Sequence, residues 1–202
     1  MLPKKTAETS VQLNELIHNR WSPRAYSDRM VSREDLIAVL EAARWAASCN
    51  NMQPWRYIVA TKDDAAEHQR MVECLKTGNQ EWAPAAPVLM IALASLMRPN
   101  GDENRHAFHD TGAASAFLTL EATARGLFVR QMAGIEVDKV RETYAVPADY
   151  GVVAGIALGY QGELESLPEH RQEPETAPRS RNPLSDMIFA GTFGNSSPLV
   201  AD

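Results

Sequence analysis

Cysteine is scarce in this chain. Two are present, Cys49 and Cys74, too few for a disulfide framework, so a reducing compartment is expected. Long apolar runs are also lacking: the longest, from Pro84 to Leu96, is too short and too alanine-rich to span a bilayer. No positively charged start leads into an apolar segment, so no secretory leader is expected and the cytoplasm is the default location. Basic excess is missing as well. A net charge of -6 and a pI near 5.4 argue against a nucleic-acid partner, because a phosphate backbone demands a basic face. Familiar catalytic signatures are absent too: there is no Gly-x-Gly-x-x-Gly between a strand and a helix, no Gly-x-Ser-x-Gly elbow and no Ser-His-Asp order. His106 and His109 beside Asp110 have helical metal-ligand spacing, but no matching Cys or His cluster lies elsewhere. Ordinary helix polar residues are expected there, and no metal.

What is present is enough apolar sequence, 45% of 202 residues, to fill a proper core. Ser32 with Asp35 three residues on reads as a capping-box start, and Leu36, Ile37, Leu40 and Ala43 then share one helical face. Shorter helical patterns cover Thr9 to His18 and Lys62 to Leu75. The longest runs from Arg105 to Arg125, rich in alanine and closed by Gly126. Strands are expected over Arg56 to Thr61, Val88 to Leu93, Leu127 to Arg130 and Gly151 to Tyr160. The fold class is α+β, with a mixed central sheet flanked by helices. The chain reads as a single domain over residues 1–202, with an acidic, proline-bearing connector near 161–178 and a C-terminal arm.

Four stretches carry chemistry. The loop Ser48-Cys49-Asn50-Asn51-Met52-Gln53-Pro54-Trp55 offers hydroxyl, amide and thiol groups closed by a rigid proline and a large aromatic. It fits a well-satisfied turn and a ligand grip equally, since Ser and Asn favour turns for backbone reasons. Arg20 and Arg24 flank Ser22-Pro23, so two guanidiniums and a hydroxyl can converge on one anion or simply face water. Arg179 and Arg181 form a second basic cluster. In Gln131-Met132-Ala133-Gly134 the small residues leave backbone N–H groups approachable, as any strand-to-helix turn would.

Taken together, the Arg-x-Ser-x-Arg run, the Ser48–Trp55 loop and the late Arg-x-Arg before Pro-Leu resemble the flavin-dependent nitroreductase family. Arg125-Gly126-Leu127 and Ala133-Gly134 agree with it, and the resemblance covers roughly Val11 to Gly194. It implies a dimeric, FMN-binding oxidoreductase that moves a hydride from NADH or NADPH to an electron-poor acceptor such as a nitroaromatic or quinone, in ping-pong order. The flavin would lie at the interface of a homodimer. No dedicated catalytic side chain is implied. Arg20, Trp21 and Ser22, with Arg179 and Arg181, would take the FMN phosphate and ribityl chain, and Arg24 the pyrimidine edge. Ser48, Cys49, Asn50, Asn51 and Gln53 would come from the opposite subunit. Met132, Ala133 and Gly134 would run past N5, and Asp110 would be a polar helix residue near the flavin. Ala47 and Cys49 replace the family's usual Pro and second Ser, and Cys49 is expected to fill the Ser slot rather than act as a redox thiol. Ala133 stands where some members have an acid, which leaves only backbone to reach N5. The alternatives are an FMN-binding module or sensor with little turnover, or a flavin-using relative that performs dehalogenation or flavin breakdown.

Overall fold

The computed structural model describes residues 5–200. Its elements are α1 (Glu15–Asn19), α2 (Arg33–Arg44), β1 (Trp55–Thr61), α3 (Ala65–Val72), α4 (Thr77–Gln80), β2 (Val88–Ser95), α5 (Ala107–Ala124), β3 (Phe128–Met132), α6 (Val137–Tyr144), β4 (Tyr150–Gly159) and α7 (Glu169–Thr176). Short 3-10 turns fill several connections.

The sheet has the order β1-β2-β4-β3. Strand β2 lies near its centre, and its sequence shows why. Alternate side chains of a strand point to opposite faces. Leu89, Ile91 and Leu93 enter one core with Met71, Leu75, Trp82 and Tyr26, while Val88, Met90 and Ala92 enter the other with Val39, Ala43, Ala114 and Leu118. Both faces are therefore covered, and β2 reads as an unbroken apolar run. Each fully buried Leu or Ile there contributes about 1.5–3 kcal/mol relative to exposure.

The α+β class is as expected, but the sheet is not mixed: every pair among the described strands is antiparallel. The helices between strands account for the strand directions. Helices α3 and α6 have eight residues each, about 12 Å of rise, too short alone to carry the chain back along a strand. Helix α5, with 18 residues, is long enough, and it does join two strands of the same direction, β2 and β3. Strand β4 inserts between them and pairs antiparallel to both.

Two further differences bear on the site. Thr9 to His18 is helical only over Glu15–Asn19, where the Asn14 side chain caps the Leu16 N–H and no residue is buried. The proline-bearing connector contains α7, docked through Glu175, which is 1% exposed. Helix α2 begins as its capping box requires, with Ser32 Oγ accepting the Asp35 N–H at 3.0 Å. Gly126 ends α5 in the left-handed region at φ 71°, which a residue with a Cβ rarely adopts.

Candidate functional site

The structure gathers six of the sequence-predicted residues around one cavity of about 260 Å³: Arg20, Trp21, Ser22, Arg24, Arg179 and Arg181. They come from opposite ends of the chain. The segment after α1 supplies the first four, and the segment after α7 supplies the last two. Lys5, Arg130 and Glu175 complete the wall.

Local bonds fix the cavity's shape. Arg20 Nη1 donates to Ser22 Oγ at 3.0 Å, and Arg130 Nη1 donates to the Ser22 carbonyl at 2.5 Å. Ser22 is thus held from both sides. Arg179 Nη1 donates to the Lys5 carbonyl at 2.6 Å. Trp21 lines the cavity while its ring packs edge-on against Phe128, with centroids 6.1 Å apart, and beneath the Lys5 ammonium. Arg24 is committed differently: its Nη1 lies 3.3 Å from Glu175 Oε2.

The charge pattern is one-sided. Among the described residues no carboxylate pairs with Arg20, Arg179 or Arg181. Burial, and then the neighbouring Arg179 and Arg181, push the Arg20 guanidinium below its ordinary value; burial and Arg181 do the same to Arg179. Arg20 and Arg179 are half-buried and Arg181 is exposed, and like charges gathered at one cavity raise its energy unless an anion enters. A dianionic group would satisfy all three at once through charge-assisted bonds.

Arg20 and Ser22 also front a second cavity of about 340 Å³, whose far wall is Ala116, Thr119, Leu120, Val129 and Gln131. Gln131 Nε2 reaches the Ser115 carbonyl and Thr119 Oγ1, both at 3.3 Å, so β3 is laced to α5 there. Beyond Gln131 the strand runs into Met132, Ala133 and Gly134. Met132 is buried and Ala133 is exposed. The Gly134 carbonyl accepts the Asn79 side chain at 2.8 Å and the Lys76 N–H at 3.0 Å. A Cβ at Gly134 would lie 2.5 Å from Asn79 Nδ2, so a larger residue there would displace the Asn79 side chain. The Gly134 N–H has no acceptor among the described residues and is available to a ligand atom.

The Ser48–Gln53 loop lies elsewhere. No residue of it lines the arginine cavity. Its Cys49 N–H is accepted by Asp110 Oδ2 at 2.9 Å, and the Gln53 N–H by Ser48 Oγ at 3.0 Å. Asp110 itself is buried near the start of α5. The second cavity touches the same helix six to ten residues later, about 9–15 Å along its axis. Three loop residues, Asn50, Asn51 and Gln53, have φ of 50°, 55° and 48°. Left-handed backbone at non-glycine residues is uncommon and clusters at ligand sites. Both free cysteines stay apart from this chemistry: Cys74 is buried, and Cys49 takes part through its backbone.

Sequence reasoning missed Arg130, Glu175, Lys5 and Asn79. Arg130 sits inside an otherwise unremarkable strand, and Glu175 inside an acidic stretch with no core pattern; neither carries a local signal. Among the described residues no group of three or more His, Cys, Asp or Glu is arranged to hold a metal ion, and no helix is long and apolar enough to cross a membrane. His109 Nδ1 instead lies 3.0 Å from Asp110 Oδ1.

Known proteins resemble this chain in sequence and in fold. Residues 17–76 and 62–160 match the sequence model of the nitroreductase family. A 15.4 kDa protein from the ask 5′ region of Mycolicibacterium smegmatis is 35% identical over 140 residues, covering 67% of this chain and 91% of that one. A Thermus thermophilus protein named NADH dehydrogenase is 29% identical over 181 residues, covering 75% of this chain and 87% of its own. A crystal structure described as an oxidoreductase containing FMN superimposes with a TM-score of 0.89 at 33% identity, covering 97% of this chain and all of that one. The family-model match spans residues 17–160 and the Mycolicibacterium relative covers two thirds of the chain: this chain belongs to the nitroreductase family.

Proposed function

We propose that the chain is an FMN-dependent oxidoreductase that passes a hydride from NADH or NADPH to an electron-poor acceptor such as a nitroaromatic or a quinone. One observation carries the reading. Arg20, Arg179 and Arg181 face one cavity, and among the described residues none has an ion-pair partner, the Glu175 in the wall being taken by Arg24; this suits a phosphate dianion. The relative of known structure at 33% identity contains FMN, and the Thermus relative is named for NADH.

FMN supplies the hydride chemistry when bound; the protein supplies placement, electrostatics and exclusion of side reactions. In this reading Arg20, Ser22, Arg179 and Arg181 hold the phosphate and ribityl chain. Arg24 approaches the pyrimidine edge with its charge shared by Glu175. The Gly134 N–H is the donor nearest the redox-active edge, and Asn79 fixes its peptide. The Ala133 side chain contributes no charge. No side-chain acid or nucleophile is required, and a solvent proton serves.

The reading includes a homodimer. Helix α5 buries Ala114, Leu118 and Ala122 in the core yet leaves two aromatic side chains on its flanks, Phe108 and Phe117, 52% and 47% exposed. Large exposed apolar side chains of this kind suit a protein–protein contact. A partner packed on it would bring its own Ser48–Gln53 loop to this chain's arginine cavity, which the loop of the same chain does not line. Donor and acceptor would then use one open face in turn. Initial rates against both substrates should give parallel lines, and intersecting lines would contradict that order. A yellow protein that NADH and NADPH both fail to bleach without oxygen would indicate a flavin carrier instead.

A further inference from the structure

Glu175 is a carboxylate sunk into a basic wall, 150 residues distant in sequence from everything it holds. It is 1% exposed. Its Oε1 accepts the Arg24 N–H at 2.5 Å and the Ala25 N–H at 3.3 Å, and its Oε2 lies 3.3 Å from Arg24 Nη1. The Glu175 backbone carbonyl accepts Lys5 Nζ at 2.7 Å. Lys5 in turn offers its own carbonyl to Arg179. Three segments meet here: the strap bearing Arg20 to Arg24, the N-terminal stretch, and the end of α7 from which Arg179 and Arg181 depart.

The chemistry of this contact is uneven. A carboxylate bridging two consecutive backbone N–H groups fixes a main-chain conformation, which a surface ion pair does not. Arg24 and Ala25 sit directly after the Arg20–Ser22 pair that faces the cavity. Glu175 lies four residues before Arg179. The bond therefore joins the two halves of the cradle, which otherwise belong to distant parts of the chain and repel each other through Arg20, Arg179 and Arg181. Glu175 also takes Arg24 out of the group of unpaired cations.

We infer that Glu175 is a positioning residue that latches the C-terminal half of the phosphate cradle, Arg179 and Arg181, onto the N-terminal half, Arg20 and Ser22. This rests on the flavin reading given above and adds to it a residue that touches no part of the ligand. Riboflavin has the same ring and ribityl chain and shares the Arg24 contact, but it lacks the phosphate that Arg179 and Arg181 would hold, so loss of the latch should weaken FMN more than riboflavin.

The test is titration of the flavin-free full-length protein with each flavin, for the wild type and Glu175→Gln. An amide keeps the size of the side chain, but its oxygen makes neutral rather than charge-assisted bonds to the two N–H groups, and its NH2 cannot accept from Arg24. The expected result is an FMN affinity weakened about tenfold or more, with riboflavin affinity, which depends on the Arg24 contact alone, weakened at least several-fold less. Hydrogen exchange on the wild type gives a second reading that needs no variant. FMN should slow exchange at Arg24, Ala25 and residues 177–182 together, and riboflavin should not. Equal weakening of both flavins by Glu175→Gln, unchanged FMN affinity, or protection of only one of the two segments would overturn the latch. A wild-type protein that binds neither flavin would overturn the flavin reading and the latch with it, whereas tight FMN binding by both proteins overturns the latch alone.

Discussion

The Asp110 carboxylate accepts the Cys49 amide at 2.9 Å, tying the Ser48–Gln53 loop to the start of helix α5. That bond ties down a loop in which three of the six residues have left-handed backbone. Replacing Asp110 by alanine removes a buried charge-assisted acceptor and should cost about 1.5–3 kcal/mol in urea unfolding. Exchange of the amides in residues 48–53 should quicken well before the sheet is affected. An unchanged midpoint and an unchanged loop would show that Asp110 does not anchor it.

The arginine cavity should show the trade-off of a binding site, where groups placed for a ligand strain the empty protein. Arg20→Ala and Arg181→Ala should each weaken FMN binding about tenfold or more. The flavin-free variants should melt no lower than the wild type, and Arg181→Ala somewhat higher, since Arg20 and Arg179 then lose a repelling neighbour. A loss of apo stability with unchanged FMN affinity would make these arginines structural.

Gly162 guards the strap from the other side. Its N–H donates to the Ala25 carbonyl at 2.9 Å, and a Cβ there would meet the Tyr26 carbonyl carbon and oxygen at 2.5 Å. Backbone cannot swing aside as a side chain can. Gly162→Ala should therefore cost about 1–3 kcal/mol by overpacking and should reduce FMN retention, because the displaced strap carries Arg20 and Arg24. Full stability in this variant, by urea unfolding, would show the strap to be loosely held.

A pH effect follows from His68, which is buried with Nε2 2.9 Å from the Ala86 carbonyl. Burial is the main cause of its lowered pKa, with Lys62 also lowering it and the Ala86 bond partly opposing them. The unfolded chain then binds more protons than the folded one below the ordinary value of 6.5. Stability from this residue is complete above that pH and declines as pH falls toward the folded value. The lowered pKa values of Asp35, Glu41 and Glu81 act in a more acidic window, beneath their own ordinary values. His68→Gln should flatten the fall in melting temperature between about pH 7 and pH 5, the range set by an ordinary histidine. An equally steep fall in the variant would assign it to other groups.

Much of this was legible in the sequence where local chemistry decides structure. The Ser32 cap, the Gly126 stop and the doubly buried Val88 run need only near neighbours, and they appear as expected. The arginine cluster was visible as two separate motifs, and the fold supplied their meeting. Other features were hidden because the deciding partner is remote. Helix α7 contains Pro174 and almost no apolar residue, so nothing local announces that Glu175 is buried; its reason lies at Arg24 and Ala25. The direction of β3 and β4 depended on which strand would insert beside β2, a question that helical and turn signals along the chain do not address. The loop at Ser48–Gln53 was marked by composition, but its attachment to Asp110 rather than to the arginines is a tertiary fact.

The most direct test is the absorbance spectrum of the purified full-length protein, taken as isolated or after FMN is supplied, then again without oxygen after NADH or NADPH. A bound flavin band that one of the two nicotinamides bleaches, and that a nitroaromatic or quinone restores, is the expected result. A protein that stays colourless after FMN is supplied would contradict the assignment of Arg20, Arg179 and Arg181 as a phosphate cradle.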